Sequence, residues 1–531
     1  MGIGHDQSSM LQPSLPLTPI GGLERARTKV RWFARRLDVA AGVAAGATYL
    51  LLPAALGLDY RLLAQRGQYQ LMWLNLLGAH YRLPIDTPKP LPVLLAGLLG
   101  SGTAFYIVTC VIVGLCVAAA MRLGKAITGS FWPGLLTAVA VFALRGECTY
   151  YVLTGGTEPF HIALILLTLV ALADGRYRLA TLAVFAACLT RPESWSLAPL
   201  PLLAALVTRR RFHVLLLLPF VAPFVWMGFD RALAGDWLYS LHVTSHYRIA
   251  SGVPVDAGTG SFWGDVMVQL SAVAGDVPLV AGTAGLVVWI RRRARQGSAP
   301  ASVQPGRAGL SAGHLALVIG LAIALPFAAS WLASLSGHVL LFGRFMYPSA
   351  VLLTLLATAA PFLLLGGRAP RWLLPTASGV VALTVFVPQG LVGSIRRARM
   401  DEVRVSAYFP VADTVKRLVR DGGADVVLVS ALRFDYFAKL LGPADSRRLL
   451  WIREVTYGAR AIPVTARYGV LAYYDRDEIN WPSVDSVISR VMRAWPTPAV
   501  FDTVVSFPSG RGGVWTVKSV PERPGSCFAP W

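Results

Sequence analysis

The chain has 531 residues, of which 55% are hydrophobic and only 15% charged, with a formal net charge of +21 from 49 Lys and Arg against 28 Asp and Glu. Together with a mean hydropathy of +0.56, these values exclude an ordinary soluble globular protein and point to a polytopic membrane protein. The basic excess fits short cytoplasmic loops; no basic run is interleaved with aromatics as a single-strand binder requires, so no nucleic-acid partner is expected.

The N-terminus through Pro19 is polar, and a basic run at 25–36 precedes the first apolar segment, which no small-residue cleavage site follows. This pattern predicts an uncleaved signal anchor with residues 1–36 as a cytoplasmic arm. A span needs roughly 20 apolar residues, and about eleven candidate segments follow. They fall at 37–57, 91–121, 131–144, 158–173, 179–190, 195–207, 214–229, 277–290, 315–335, 346–365 and 372–387. The second is interrupted by Gly100-Ser101-Gly102, and the short fifth and sixth are joined by Arg191-Pro192-Glu193. Basic clusters (Arg122 with Lys125, Arg176 with Arg178, 209–211, 291–293, Arg368 with Arg371) alternate with loops carrying carboxylates, histidines and aromatics. The positive-inside rule therefore places loops 58–90 and 230–276 outside, on a transmembrane domain covering 37–390.

From about residue 396 the pattern changes. Short strands are predicted at 425–430, 449–453, 469–474 and 514–520, and amphipathic helices at 408–420 and 483–495. The expected fold is thus a polytopic α-helical membrane protein with an extracytoplasmic α/β domain at 396–531. Five cysteines show no zinc-site spacing. Cys148 and Cys527 both fall on the outer side, and the sequence leaves a disulfide between them open.

The unusual polar residues gather on the outer side. Asp59 follows the first span, either as a helix cap or solvated loop residue, or as a general base or metal ligand. Asp86 and Lys89 close that loop, and between them and Asp59 the residues Leu62, Tyr69, Met72, Trp73 and Leu76 share a helical face expected to lie along the bilayer surface. Glu158, in Thr157-Glu158-Pro159, either serves a helix N-terminus or has a functional role, with His161 one turn inside. Arg191 and Glu193 lie between short apolar helices, which is costly unless they pair or face a cavity. The guanidinium suits a phosphate, and a structural Arg–Glu pair is the alternative. His242 and His246 have helical metal-ligand spacing but no clear third ligand, so hydrogen bonding to a polar substrate fits them better. Arg344, in Gly343-Arg344-Phe345-Met346-Tyr347-Pro348, is either an interfacial anchor or a partner for an anionic headgroup.

The ordered set is an Asp in the first outer loop, TPKPLP before the second span, TEPF at the fourth, LTRPESW between short helices, GDWLYSLHVTS in a later outer loop and GRFMYP before a late span. It resembles the bacterial membrane-embedded GT-C glycosyltransferases that use polyprenyl-phosphate sugars. RPES is similar to that family's RPEG turn and GRFMYP to its R-Y-x-x-P stretch, over roughly residues 35–390. The resemblance implies a hexosyl- or pentosyltransferase in the bacterial inner membrane, with a glycan, lipid or protein acceptor outside. Asp59 would act as base in an inverting displacement. Lys89, Arg191 and Arg344 would offset charge on the departing phosphate, with Glu158, Glu193, His242 and His246 orienting Arg191 or binding sugar hydroxyls. A single Asp59 stands where an acidic doublet would favour a metal, so a divalent cation (Mg or Mn) stays open and none is required. Two rival readings fit the polar residues: a lipid or polar-solute transporter or flippase, and a non-catalytic scaffold presenting the C-terminal domain.

Overall fold

The computed structural model of the protein describes residues 21–59, 67–83, 87–144, 147–208, 212–243, 264, 267, 270, 271, 274–295, 310–335, 346–365, 369–370, 372–384, 388–421, 423–429, 434–451, 469–474, 502–508 and 514–520. Among these, five helices are long and apolar enough to cross a membrane: Arg36–Leu56, Gly102–Thr128, Val214–Ala234, Ala312–Ala329 and Tyr347–Leu365. A sixth arises if the pair Cys148–Thr154 and Glu158–Ala173, bent by 115°, is one broken span. The apolar helices Pro90–Leu99, Trp132–Phe142, Tyr177–Thr190 and Leu373–Leu383 are shorter. The protein is a multi-pass, mainly helical membrane protein. Most of the apolar segments read from the sequence are helices, and several are too short to cross as straight rods.

In chain order the bundle comprises α1 (Gly21–Leu56), α2 (Gly67–Leu76), α3 (Pro90–Leu99), α4 (Gly102–Thr128), α5 (Trp132–Ala138), α6 (Glu147–Thr154), α7 (Glu158–Ala173), α8 (Tyr177–Thr190), α9 (Leu200–Val207), α10 (Ala222–Ala234), α11 (Asp276–Arg295), α12 (Ala312–Leu335), α13 (Tyr347–Leu365) and α14 (Leu373–Leu383). Small residues let these helices approach closely. A Cβ at Gly42 would lie 2.6 Å from the Gly114 carbonyl oxygen, and one at Gly114 equally close to that of Gly42, which sets the α1–α4 crossing. Polar side chains tie the buried interior: Tyr106 Oη donates to the Tyr49 carbonyl at 2.6 Å, and Tyr49 Oη to the Phe142 carbonyl at 2.7 Å. Thr137 and Thr358 meet at 2.9 Å between α5 and α13. Cys148 is buried in this core; Cys527 lies outside the described residues.

Two helix ends shape the candidate site. Helix α1 stops at Gly57, whose φ of 63° is left-handed, with Gly57 N–H donating to Ala54 O and Leu58 N–H to Pro53 O. This is a Schellman ending, made wholly of backbone bonds, and Asp59 is the next residue after it. The predicted interruption at 100–102 is also present. Gly100 (φ 63°) closes α3, and the Ser101 hydroxyl accepts the Ala104 N–H at 3.1 Å to open α4.

Beyond the bundle, α15 (Pro388–Arg420) runs as one 33-residue helix through position 396. The sheet that follows contains β1 (Val426–Val429), β2 (Leu449–Trp451), β3 (Gly469–Tyr474), β4 (Asp502–Pro508) and β5 (Val514–Val520), in the order β2-β1-β3-β5-β4. The first three are parallel, and β5 runs antiparallel to both β3 and β4. Helix α16 (Phe434–Ser446) connects β1 to β2. Val411, Val415 and Val419 of α15 pack with Val427, Val429 and Phe437 as the core of this unit. Strand β4 was not foreseen from the sequence, and the predicted helix at 483–495 lies outside the described residues.

Helix α2 corrects one expectation. Instead of lying with one face on the bilayer, it is covered on two sides. Tyr69 and Met72 pack with Val93, Ala96, Phe105 and Phe160 of the bundle, while Leu71 is fully buried in the core of the C-terminal unit. Apolar residues around much of its circumference make this sandwiching favourable.

Candidate active site

The site is built on the open end of the α7–α8 hairpin. Glu158 begins α7 and Arg191 follows the end of α8, so the antiparallel pair brings two groups 33 residues apart into contact. Proline fixes the local geometry twice. Pro159 occupies the first turn of α7, where its missing N–H costs nothing, and Glu158 beside it faces the positive end of the helix dipole. Arg191 precedes Pro192, which drives it out of helical conformation to φ −150° and ψ 133°.

Pro192 also lacks the N–H that would have closed the last helical bond to the Cys188 carbonyl. Two indoles fill the vacancy: Trp226 Nε1 donates to Cys188 O at 2.8 Å and Trp195 Nε1 at 3.2 Å. Their rings meet edge-on at 6.1 Å. Replacing Trp226 by Phe is expected to cost about 1–3 kcal/mol, from one lost hydrogen bond and the cavity left by a buried indole, while Trp195 still serves the carbonyl; replacing both should cost more than the sum, since the buried acceptor is then stranded. Thermal unfolding of the single and double variants in detergent checks this, and simple additivity would contradict it.

The turn presents a buried charge cluster. Arg191 is 2% exposed and Glu158 4%. Arg191 Nη2 donates to Glu158 Oε1 at 2.5 Å, and Nη1 lies 3.6 Å from Glu193 Oε1. His161 Nε2 and Ser194 Oγ are 2.6 Å apart, fastening α7 to the turn. Lys89, just before α3, donates to Thr157 Oγ1 at 3.4 Å, and its Nζ stands 6.0 Å from the Tyr69 ring centroid. Arg191 and Lys89 both lie within electrostatic reach of His161, and Tyr69 and Tyr151 within that of Arg191. Gly156 is required here: a Cβ would fall 2.5 Å from Glu158 Oε2 and 2.8 Å from the Tyr151 ring. Among the described residues, Glu193 Oε2 is buried without a hydrogen-bond partner.

Lys89, Glu158, Arg191 and Glu193 are therefore brought together. Asp59 is exposed, and the neighbouring Leu58 packs with Tyr150, Leu153 and Tyr151 of α6. Arg399 of α15 donates to the Leu56 carbonyl at 2.6 Å and secures the same corner. His242 stands elsewhere, 61% exposed, with Nδ1 2.6 Å from Asp236 Oδ2. The Leu238 N–H, then His242, hold the Asp236 carboxyl below its ordinary value. His246, Arg344 and Asp86 lie outside the described residues. Three positions beyond Arg344, Tyr347 packs edge-on against Tyr151 at 5.9 Å, which links the GRFMYP stretch to the cluster. Tyr151 carries no sequence signal that separates it from ordinary core residues, and Ser194 stood out in the sequence only as the last residue of the RPES turn. Among the described residues no group of three His, Cys, Asp or Glu side chains could hold a metal ion.

No protein-family model matches the chain, and no curated protein matches it. Among solved structures it is similar to ArnT from Cupriavidus metallidurans bound to undecaprenyl phosphate, at 12% identity over 91% of this chain and 97% of that one, with a TM-score of 0.47. The same ArnT in the apo state gives 12% identity, coverages of 90% and 98%, and a TM-score of 0.45. An Archaeoglobus fulgidus oligosaccharyltransferase tethered to an acceptor peptide with an NVT sequon gives 11% identity, coverages of 83% and 69%, and a TM-score of 0.45. At these identities and scores no residue role is carried over from those proteins.

Proposed function

We propose that the protein is an integral-membrane glycosyltransferase, moving a sugar from a polyprenyl-phosphate donor to a glycan, lipid or protein acceptor outside the cytoplasm. The observation supporting this reading most is the gathering of Lys89, Arg191, Glu158 and Glu193 at the open end of the α7–α8 hairpin. The motif resemblance across 35–390 agrees with it.

In the proposed reaction an acceptor hydroxyl gives its proton to the Asp59 carboxylate. Its oxygen attacks the anomeric carbon from the face opposite the phosphate. The new C–O bond forms as the bond to the phosphate oxygen breaks, so the configuration inverts and polyprenyl phosphate leaves with the electron pair. Fixed cations stabilise that developing charge. Lys89 is a half-buried cation beside the cluster, with Arg344 as a second candidate. Arg191 is held by two carboxylates, so it contributes a charge of fixed position rather than a free fork. Glu193 Oε2, buried without a partner, suits a sugar hydroxyl. His242 and His246 would meet the donor or acceptor only from the neighbouring loop. In this reading the N-terminus is cytoplasmic, the C-terminal unit lies outside, and the membrane is the bacterial inner membrane.

Purified protein in detergent micelles with a radiolabelled polyprenyl-phosphate sugar tests the proposal. Release of polyprenyl phosphate together with a glycosylated acceptor is expected, because the chemistry needs no sealed compartment. Movement of intact labelled lipid across sealed vesicles, with no cleavage in micelles, would identify a transporter or flippase and overturn the proposal.

A further inference from the structure

Helix α2 is gripped from two directions. On the bundle side Tyr69 is 4% exposed, faces Lys89 Nζ, lies within electrostatic reach of Arg191, and packs with Phe160, two residues after Glu158. On the other side the next residue, Gln70, accepts a hydrogen bond from Lys439 Nζ of α16 at 2.6 Å. Leu71 then inserts among Val411, Val415, Phe437 and Leu441.

The return segment is clipped to the same helix. Asn75 forms paired bonds with the Tyr81 backbone, both at 2.7 Å, folding residues 77–81 back on α2. The Arg82 N–H then donates to Ser446 Oγ at 3.1 Å, at the far end of α16. The stretch from Gln70 to Arg82 thus touches α16 at two polar points with an apolar plug beside the first. Tyr69 and Lys89 flank it on the site side.

We propose that α16 is a positioning element for the candidate site: Lys439, acting through Gln70, holds Tyr69 against Lys89 and so fixes the cation that meets the donor phosphate. The inference rests on the site reading above for its catalytic part, and on geometry alone for its mechanical part. Lys439 is a positioning residue and touches no substrate. A charged donor on a neutral amide, flanked by a fully buried Leu, is stronger than an ordinary surface contact. The helix it holds is short; Tyr69, Met72 and a bond from Gln70 Nε2 to Gly100 O at 3.5 Å fix its bundle side, and Lys439 supplies a polar tie from α16 on the other.

The test uses the full-length protein in detergent, comparing wild type with Lys439→Met, Gln70→Met, the double variant and Lys439→Arg. Amide hydrogen exchange across 67–76 should speed up about tenfold in either single Met variant, as for loss of one hydrogen bond to a charged group. The double variant should add little more, and Lys439→Arg should restore slow exchange. Exchange in α7 and β1 should stay at the wild-type rate. In the transfer assay, Lys439→Met should raise the donor KM more than it lowers kcat. Unchanged exchange at 67–76, or faster exchange there only together with β1, would overturn the positioning role. A wild-type protein without transfer activity would remove the function proposed above, and the exchange result would still decide the mechanical link.

Discussion

Glu158→Leu is expected to cost about 3 kcal/mol or more of folding stability, because it takes away the nearest counter-charge of a guanidinium that is 2% exposed. Glu193 remains at 3.6 Å and softens the loss, so Glu158→Leu with Glu193→Leu should be the worst combination, beyond the sum of the singles. Adding Arg191→Leu to that pair should recover much of the stability, since apolar side chains of similar volume tolerate the site better than an uncompensated charge. Thermal unfolding of the series in one detergent reads this order directly. A triple variant less stable than the double would mean that the charges do not compensate one another. None of these variants should transfer sugar at the wild-type rate, because each displaces the turn carrying Ser194 and Glu193.

Asp59→Asn should behave oppositely: near-normal unfolding, and a turnover reduced by about 10²–10⁴-fold, the usual contribution of a general base. The stability expectation follows from its place. Asp59 is exposed, and substitutions at exposed positions usually change stability little. Parallel measurement of product formation and melting separates the two effects. Wild-type turnover in Asp59→Asn would end its role as base while leaving the buried cluster untouched. Carboxylate loss without melting at Asp59, against melting at Glu158, would mark one residue as chemical and the other as architectural.

Much of this arrangement was legible from local patterns. Gly100-Ser101-Gly102 breaks a helix because a left-handed residue and a hydroxyl cap are both available there. Arg191-Pro192 ends one because proline excludes the helical conformation before it. Alternating and β-branched runs marked β1, β2, β3 and β5. What could not be read was anything set by the meeting of distant segments. The Glu158–Arg191 contact depends on two helices returning to the same level. The second buried face of α2 is invisible without α15 and α16, because Leu71 looks like any apolar residue of an outer loop. Strand β4 carries Thr503, Val504, Val505 and Phe507, a β-prone run of the same kind as the others, and went unread; its pairing with β5 includes a register irregularity between Thr503 and Val505. The two indoles on the Cys188 carbonyl come from positions 7 and 38 residues away, and only the fold brings them there.

Helix α8 has 14 residues, which amounts to a rise of about 21 Å. A hydrocarbon layer is about 30 Å deep. Helix α8 is therefore roughly 9 Å shorter than a straight crossing needs. Polar groups within an apolar layer need either water or one another, and the buried Arg191 finds Glu158 and Glu193. Membrane thickness itself thus becomes a variable, because a thinner layer accommodates the short helix and its buried charges with less mismatch.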